Sequence, residues 1–254
     1  MISKNMMIHS PLEQFQVNSI LSLNLGWFDI SITNSTVAMI LACSIFLFIT
    51  NLATINSTIV PSRWQSILEL IYEFIYTMIQ EQIGNKGYKY FPFIFTLFIF
   101  IASCNLLGMI PYNFTATGQA VVTFGLSFTI FLGVTMLGFA QHGLHFFSLL
   151  VPSGIPLALA PIIVTIEFIS YLTRAISLGI RLLANMFAGH TLLKIIATFA
   201  WQMLMAGGIL AVAGIAPIAL LFALTGLELV IAFLQAYVFT ILTCSYLNDS
   251  INLH

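Results

Sequence analysis

Residues Pro156–Trp201 read PLALAPIIVTIEFISYLTRAISLGIRLLANMFAGHTLLKIIATFAW, and the fold turns on how this stretch is read. From Pro161 to Gly207 no further proline intervenes, and the two glycines inside, Gly179 and Gly189, are isolated, so nothing punctuates a continuous helix. The stretch is apolar almost throughout, yet it carries Glu167, Arg174, Arg181, His190 and Lys194. On a helical wheel Glu167, Ser170, Arg174, Ser177 and Asn185 fall within about 40° of Arg181, a polar stripe on a hydrophobic rod, while His190 projects about 180° away. An ionisable group at mid-bilayer costs about 2.5 to 3.5 kcal/mol on insertion scales, so such groups persist only with partners or water and mark an ion path by default.

The rest of the chain sets that helix in a membrane. Of 254 residues 60% are hydrophobic and only 6% charged, against about 25% charged in soluble domains. A formal net charge of −1 with no basic stripe excludes a nucleic-acid partner. Cys43, Cys104 and Cys244 lack the paired spacing of a metal or disulfide framework and read as small buried hydrophobes. Residues 1–26 are mixed and polar, without an apolar run long enough for a secretory signal, and are placed outside the membrane core. Charge-free runs at 37–55, 90–110 and 120–140 each approach the ~20 residues that cross a ~30 Å hydrocarbon core.

Between the first two spans, Pro61 halts the chain and Ser62 to Gln65 has the pattern of a capping box. From 62 to 84 apolar residues recur at helical spacing, with Glu69, Glu73 and Glu81 on the other side, an amphipathic helix lying along the interface. Two histidines three apart, His142 and His145, lack a third ligand and read as hydrated imidazoles in an interfacial turn, not as a metal site. Val151–Pro156 is a rigid connector into the central helix. The final hydrophobic segment, 209–247, carries Glu228 and Gln235 on one face and a terminal Asp249.

Gly207-Gly208 together with Gly214 make a turn that sets 156–205 and 209–247 antiparallel. If Arg181 faces Gln235, then Glu167 falls opposite Asp249 and His190 within two residues of Glu228. At 1.5 Å per residue the acidic pair lies about 21 Å from Arg181 on one side and His190 about 13 Å on the other. Carboxylates and imidazole exchange protons at accessible pH; a guanidinium does not. Arg181 therefore divides two half-paths, and a proton crosses only on a mobile carrier, for which a partner subunit's carboxylate is suited. The competing reading makes 174–194 a basic loop between shorter spans at 157–173 and 195–213. Against it, the intervening sequence is strongly helical and apolar, without the cluster of turn residues that a loop of that length would show. A continuous helix about 68 Å long must be steeply tilted or curved.

The segments ISLGIRLLANMFAGH (Ile176–His190) and LELVIAFLQAYVFTILT (Leu227–Thr243) resemble the two signature segments of subunit a of the F-type ATP synthases. SPLEQF (Ser10–Phe15), FPFIFTL (Phe91–Leu97) and NLLGMIP (Asn105–Pro111) resemble further stretches of mitochondrial, particularly fungal, members. The resemblance implies an all-α polytopic membrane protein whose two long tilted antiparallel helices form a hairpin against a rotor ring. It implies a stator subunit of the membrane (Fo) sector, with two aqueous half-channels passing protons to and from the carboxylates of the c-ring. Arg181 is then the essential arginine, with Asn185 and Gln235 beside it. His190 and Glu228 line the intermembrane-space side, and Glu167 and Asp249 the matrix side, with Arg174 nearby. The c-ring, peripheral-stalk and other Fo subunits are the implied partners and the mitochondrial inner membrane the implied location; residues 1–9 would be a cleaved leader.

No Gly-rich phosphate loop or dinucleotide fingerprint is present, so neither nucleotide binding nor a cofactor is expected, and the subunit is not read as an enzyme. A redox-linked subunit would need histidines paired across spans, and a self-contained secondary transporter would need broken helices and internal repeats.

Overall fold

A computed structural model describes residues 11–22, 24–25, 28–29, 31–55, 60–110, 113–143, 145–146 and 160–252. The expected leader at 1–9 and the connector at 151–156 lie outside them. The described chain is almost wholly helical: α1 (Asn34–Thr54), α2 (Arg63–Gln82), α3 (Phe91–Gly108), α4 (Ala120–His142), α5 (Ala160–Ala206), α6 (Gly208–Ala213) and α7 (Ile215–Ile251). Five segments are long and apolar enough to cross a membrane: Asn34–Thr54, Gly84–Gly108, Ala120–His142, Ile162–Ala206 and Ala211–Ile251. The apolar runs read at 37–55, 90–110, 120–140, 156–205 and 209–247 overlap these segments, with ends up to six residues apart.

Three features differ from the sequence reading. Short antiparallel pairs precede α1: β1 (Ser19–Leu21) with β4 (Ile32–Thr33), and β2 (Asn24–Leu25) with β3 (Phe28–Asp29). The second long apolar run is not one helix from 209, because Gly214 separates α6 from α7. Pro217 falls in the first turn of α7, where a missing N–H costs nothing. At its far end α7 continues a turn past 247, to Ile251, so the terminal Asp249 lies within its last turn.

Local chemistry accounts for the boundaries. Thr33 caps α1 through a reciprocal box with Thr36, its hydroxyl accepting from Thr36 N while Thr36 Oγ1 accepts from Thr33 N. Ser62 caps α2 by accepting from Gln65 N, and the Gln65 amide reaches forward to Glu69 at 2.8 Å. Gly207 and Gly208 both have positive φ, 70° and 60°, a conformation that glycine adopts without a Cβ penalty and that reverses the chain between the long helices.

The core gathers the second half of α2 with α3, α4, α5 and α7, around fully buried Ile75, Ile79, Ile94, Ile101, Leu182 and Phe239. The carboxylates of α2, Glu69, Glu73 and Glu81, stay exposed while Ile75, Met78 and Ile79 turn inward, which is the amphipathic division expected of it. Cys104 and Cys244 are buried as expected, but Cys43 is exposed, lining an open apolar cavity between α1, α3 and α4.

Candidate functional site

The site lies along the contact of α5 and α7. Fully or nearly buried Leu178, Leu182 and Met186 form the ridge that α5 presents to its neighbours. On a helical wheel Arg174, Arg181 and Asn185 leave from one flank of that ridge and His190 from the other. The opposition of His190 to the polar stripe is thus real in angle, yet both flanks reach α7. Counting polar residues alone could not locate the apolar ridge between them.

Two polar clusters form on this seam. In one, Arg174 joins both acids: Nη1 lies 3.1 Å from Asp249 Oδ2 and Nη2 3.9 Å from Glu167 Oε1. Glu167 and Asp249 were expected to face each other directly; the structure places a guanidinium between them, which removes the repulsion of two adjacent carboxylates. Tyr171 and Tyr246 adjoin this triad around a cavity of about 20 Å³, room for roughly one water. The Tyr171 hydroxyl also bonds Thr135 of α4 at 2.8 Å. Neither tyrosine was singled out from sequence, where aromatic residues in an apolar run carry no signal.

In the other cluster, His190 Nδ1 lies 3.6 Å from Glu228 Oε1, with Glu228 only 4% exposed. Gly189 makes this possible. A Cβ there would stand 2.6 Å from Glu228 Oε1, so the carboxylate rests on bare α5 backbone beside the imidazole. Gly189 was read only as an isolated glycine; a glycine kept inside a helix at a cost of about 1 kcal/mol relative to alanine was the available signal.

Arg181 lies between the clusters in sequence. Gln235, expected to face it, instead accepts from Asn185 Nδ2 at 2.8 Å, one turn along. Packing sets that offset: Leu182 fills the buried ridge, and its neighbour Arg181 is carried round to the exposed side. Among the described residues no hydrogen bond or ion pair engages Arg181. Arg181 itself is exposed, beside fully buried Leu182. His142 and His145 form no metal cluster among the described residues; His142 Nε2 instead meets Ile251 O at 3.1 Å, at the end of α7.

Five segments able to cross a bilayer, two of them much longer than a bilayer is thick and joined by ionisable side chains, define a polytopic helical membrane protein of the ion-translocating class. A family model described as ATP synthase A chain matches residues 35–248, and the chain belongs to the ATP synthase subunit a family. It is 53% identical over 247 residues to ATP synthase subunit a of Chondrus crispus, covering 97% of this chain and 98% of the relative. It is 52% identical over 249 residues to the Marchantia polymorpha subunit, covering 96% and 99%, and 47% identical over 247 residues to that of Rhodospirillum rubrum, covering 97% and 100%. The function of the family is that of the proton-translocating stator subunit of the membrane sector, which is not itself catalytic.

Proposed function

We propose that this chain carries protons through two aqueous half-paths that end on either side of Arg181 and are joined only by the carboxylates of a rotating c-ring. The observation that carries the reading is the state of Arg181. It is an exposed cation without an ion pair among the described residues, midway along a helix on which Arg174 pairs with Asp249 and Glu167, and His190 stands beside Glu228. An uncompensated guanidinium on a membrane-spanning helix needs a counter-charge from a partner, and a ring carboxylate supplies one.

In this reading His190 and Glu228 receive protons from the intermembrane space, and Glu167, Arg174 and Asp249 release them to the matrix. Asn185 and Gln235 hold the seam beside Arg181. The guanidinium stabilises each ring carboxylate in its ionised form as it passes, drives off its proton, and cannot itself relay one. One charge crossing 100 mV gains about 2.3 kcal/mol, so several protons must pass per ATP, which suits a many-toothed rotor. Nucleotide chemistry belongs to other subunits, peripheral-stalk and other Fo subunits hold this one stationary, and the membrane is the mitochondrial inner membrane.

The test is ATP synthesis driven by a proton gradient in the assembled complex. Arg181→Ala is expected to abolish it while the complex still assembles. Arg181→Lys is expected to fail as well, because a desolvated ammonium can lose its proton and lacks the planar fork. Synthesis at the wild-type rate in either assembled variant would refute the reading.

A further inference from the structure

Buried polar atoms without a hydrogen-bond partner are rare in folded proteins, and each calls for water, an ion or a functional reason. Among the described residues there are six such side-chain atoms: Gln14 Nε2, Asn105 Oδ1, Thr117 Oγ1, His190 Nε2 and both carboxylate oxygens of Glu228. They are not scattered. Asn105, fully buried on α3, donates Nδ2 to Ala232 O at 3.1 Å, one turn along α7 from Glu228. One turn past Asn105, Gly108 lies against Thr115, which leads into the 3-10 turn Ala116–Gly118. That turn packs on α3, α4 and α5. Gly118 lies under the ring of Phe15, and Phe15 meets Phe187 of α5 with ring centroids 4.6 Å apart, one turn before His190. Gln119 fixes this arrangement by donating Nε2 to Phe15 O at 2.6 Å. The unpaired atoms thus follow a line from the N-terminal segment, through Thr117 and Asn105, to the His190–Glu228 pair.

Thr117 is unlike the helical threonines of this chain. Thr96, Thr123, Thr129 and Thr240 each spend the hydroxyl on a backbone carbonyl of their own helix. Thr117, 2% exposed, does not. A hydroxyl can donate and accept at once, and the free Asn105 oxygen can accept, so together they can order a file of water. The His190–Glu228 separation of 3.6 Å is likewise longer than a direct hydrogen bond, so neither side chain satisfies the other.

We infer that Thr117 and Asn105 continue the His190–Glu228 half-path outward, and that its mouth opens beneath the N-terminal segment, with Phe15 as its wall. Residues 11–15, placed outside the membrane core on sequence grounds, are then part of the proton path. The inference rests on the proposed role of His190 and Glu228, and deepens it.

The experiment measures passive proton flux and its pH profile through the assembled, c-ring-containing complex in membrane vesicles. Thr117→Val keeps the shape and removes the hydroxyl. It is expected to slow flux by about tenfold, the effect of losing one well-made hydrogen bond, and Thr117→Ser is expected to restore it. Wild-type flux and pH profile in Thr117→Val overturn the inference. Should Thr117→Val fail to assemble, Thr117→Cys in a Cys43→Ser background decides: silver ion added to the aqueous phase is expected to block flux, and full resistance to silver overturns the inference. Arg181→Ala serves as the separate control. Ring-coupled flux surviving in that variant sinks the half-path reading itself, whatever Thr117 does.

Discussion

At the scale of single residues, the contact between Gly189 and Glu228 shows how a side chain's absence can set a site. The carboxylate occupies the space that a Cβ would claim at 2.6 Å, and Glu228 cannot reach His190 in the same way from elsewhere on α7. Gly189→Ala should therefore impair proton-driven ATP synthesis, although alanine favours a helix interior by about 1 kcal/mol over glycine. Unchanged subunit levels with reduced synthesis are the expected pair of measurements; wild-type synthesis would show that Glu228 shifts at no cost. The ionisable residues themselves were legible in sequence, because charge inside an apolar run stands out. Their exact partners were not. Whether Asp249 meets Glu167 or Arg174 depends on side-chain reach over about one turn, and Arg174 spans both.

Among elements, the antiparallel pairing of α5 and α7 gives the most direct test. Cysteines replacing Gly189 and Glu228 should form a disulfide readily, since a Cβ at 189 would already lie 3.4 Å from Glu228 Cγ, near the range that disulfide geometry requires. Failure to crosslink under oxidation, read as unchanged mobility on a non-reducing gel, would reject this alignment of the helices. The far end of α7 is held by two neighbours: His142 of α4 meets Ile251 O, and Lys86 Nζ donates to Asn252 Oδ1 at 3.1 Å. Removing both side chains, as His142→Ala with Lys86→Ala, should speed amide hydrogen exchange in the last turn of α7 by about thirtyfold, given the usual net worth of about 1 kcal/mol for each of the two hydrogen bonds. Equal exchange rates would mean that packing of Leu247 and Ile251 alone holds the turn. The antiparallel hairpin was readable from Gly207 and Gly208. The break at Gly214 was not distinguished from the turn before it, because a third glycine seven residues on looks like part of the same punctuation.

Across the whole molecule, α3 and α7 share a core with α2, α4 and α5, so the polar seam is mounted on packed apolar side chains rather than on loops. Phe239, fully buried one turn past Gln235, is central to that mounting. Phe239→Ala should destabilise the subunit by about 3–5 kcal/mol, seen as reduced subunit abundance in membranes; normal abundance would mean that the neighbouring helices close the gap. Sequence by itself determined the membrane class, the five spans, the amphipathic character of α2 and the identity of the charged residues, because composition and helical period are local properties that no folding partner alters. Only the tertiary structure decided which of those residues meet, that Arg181 is turned to the outer face, and that Phe15 and Thr117 stand near His190. Those relations join positions as far apart as Phe15 and Phe187, and they are fixed by how apolar ridges and bare glycines let helices approach, which no single segment records.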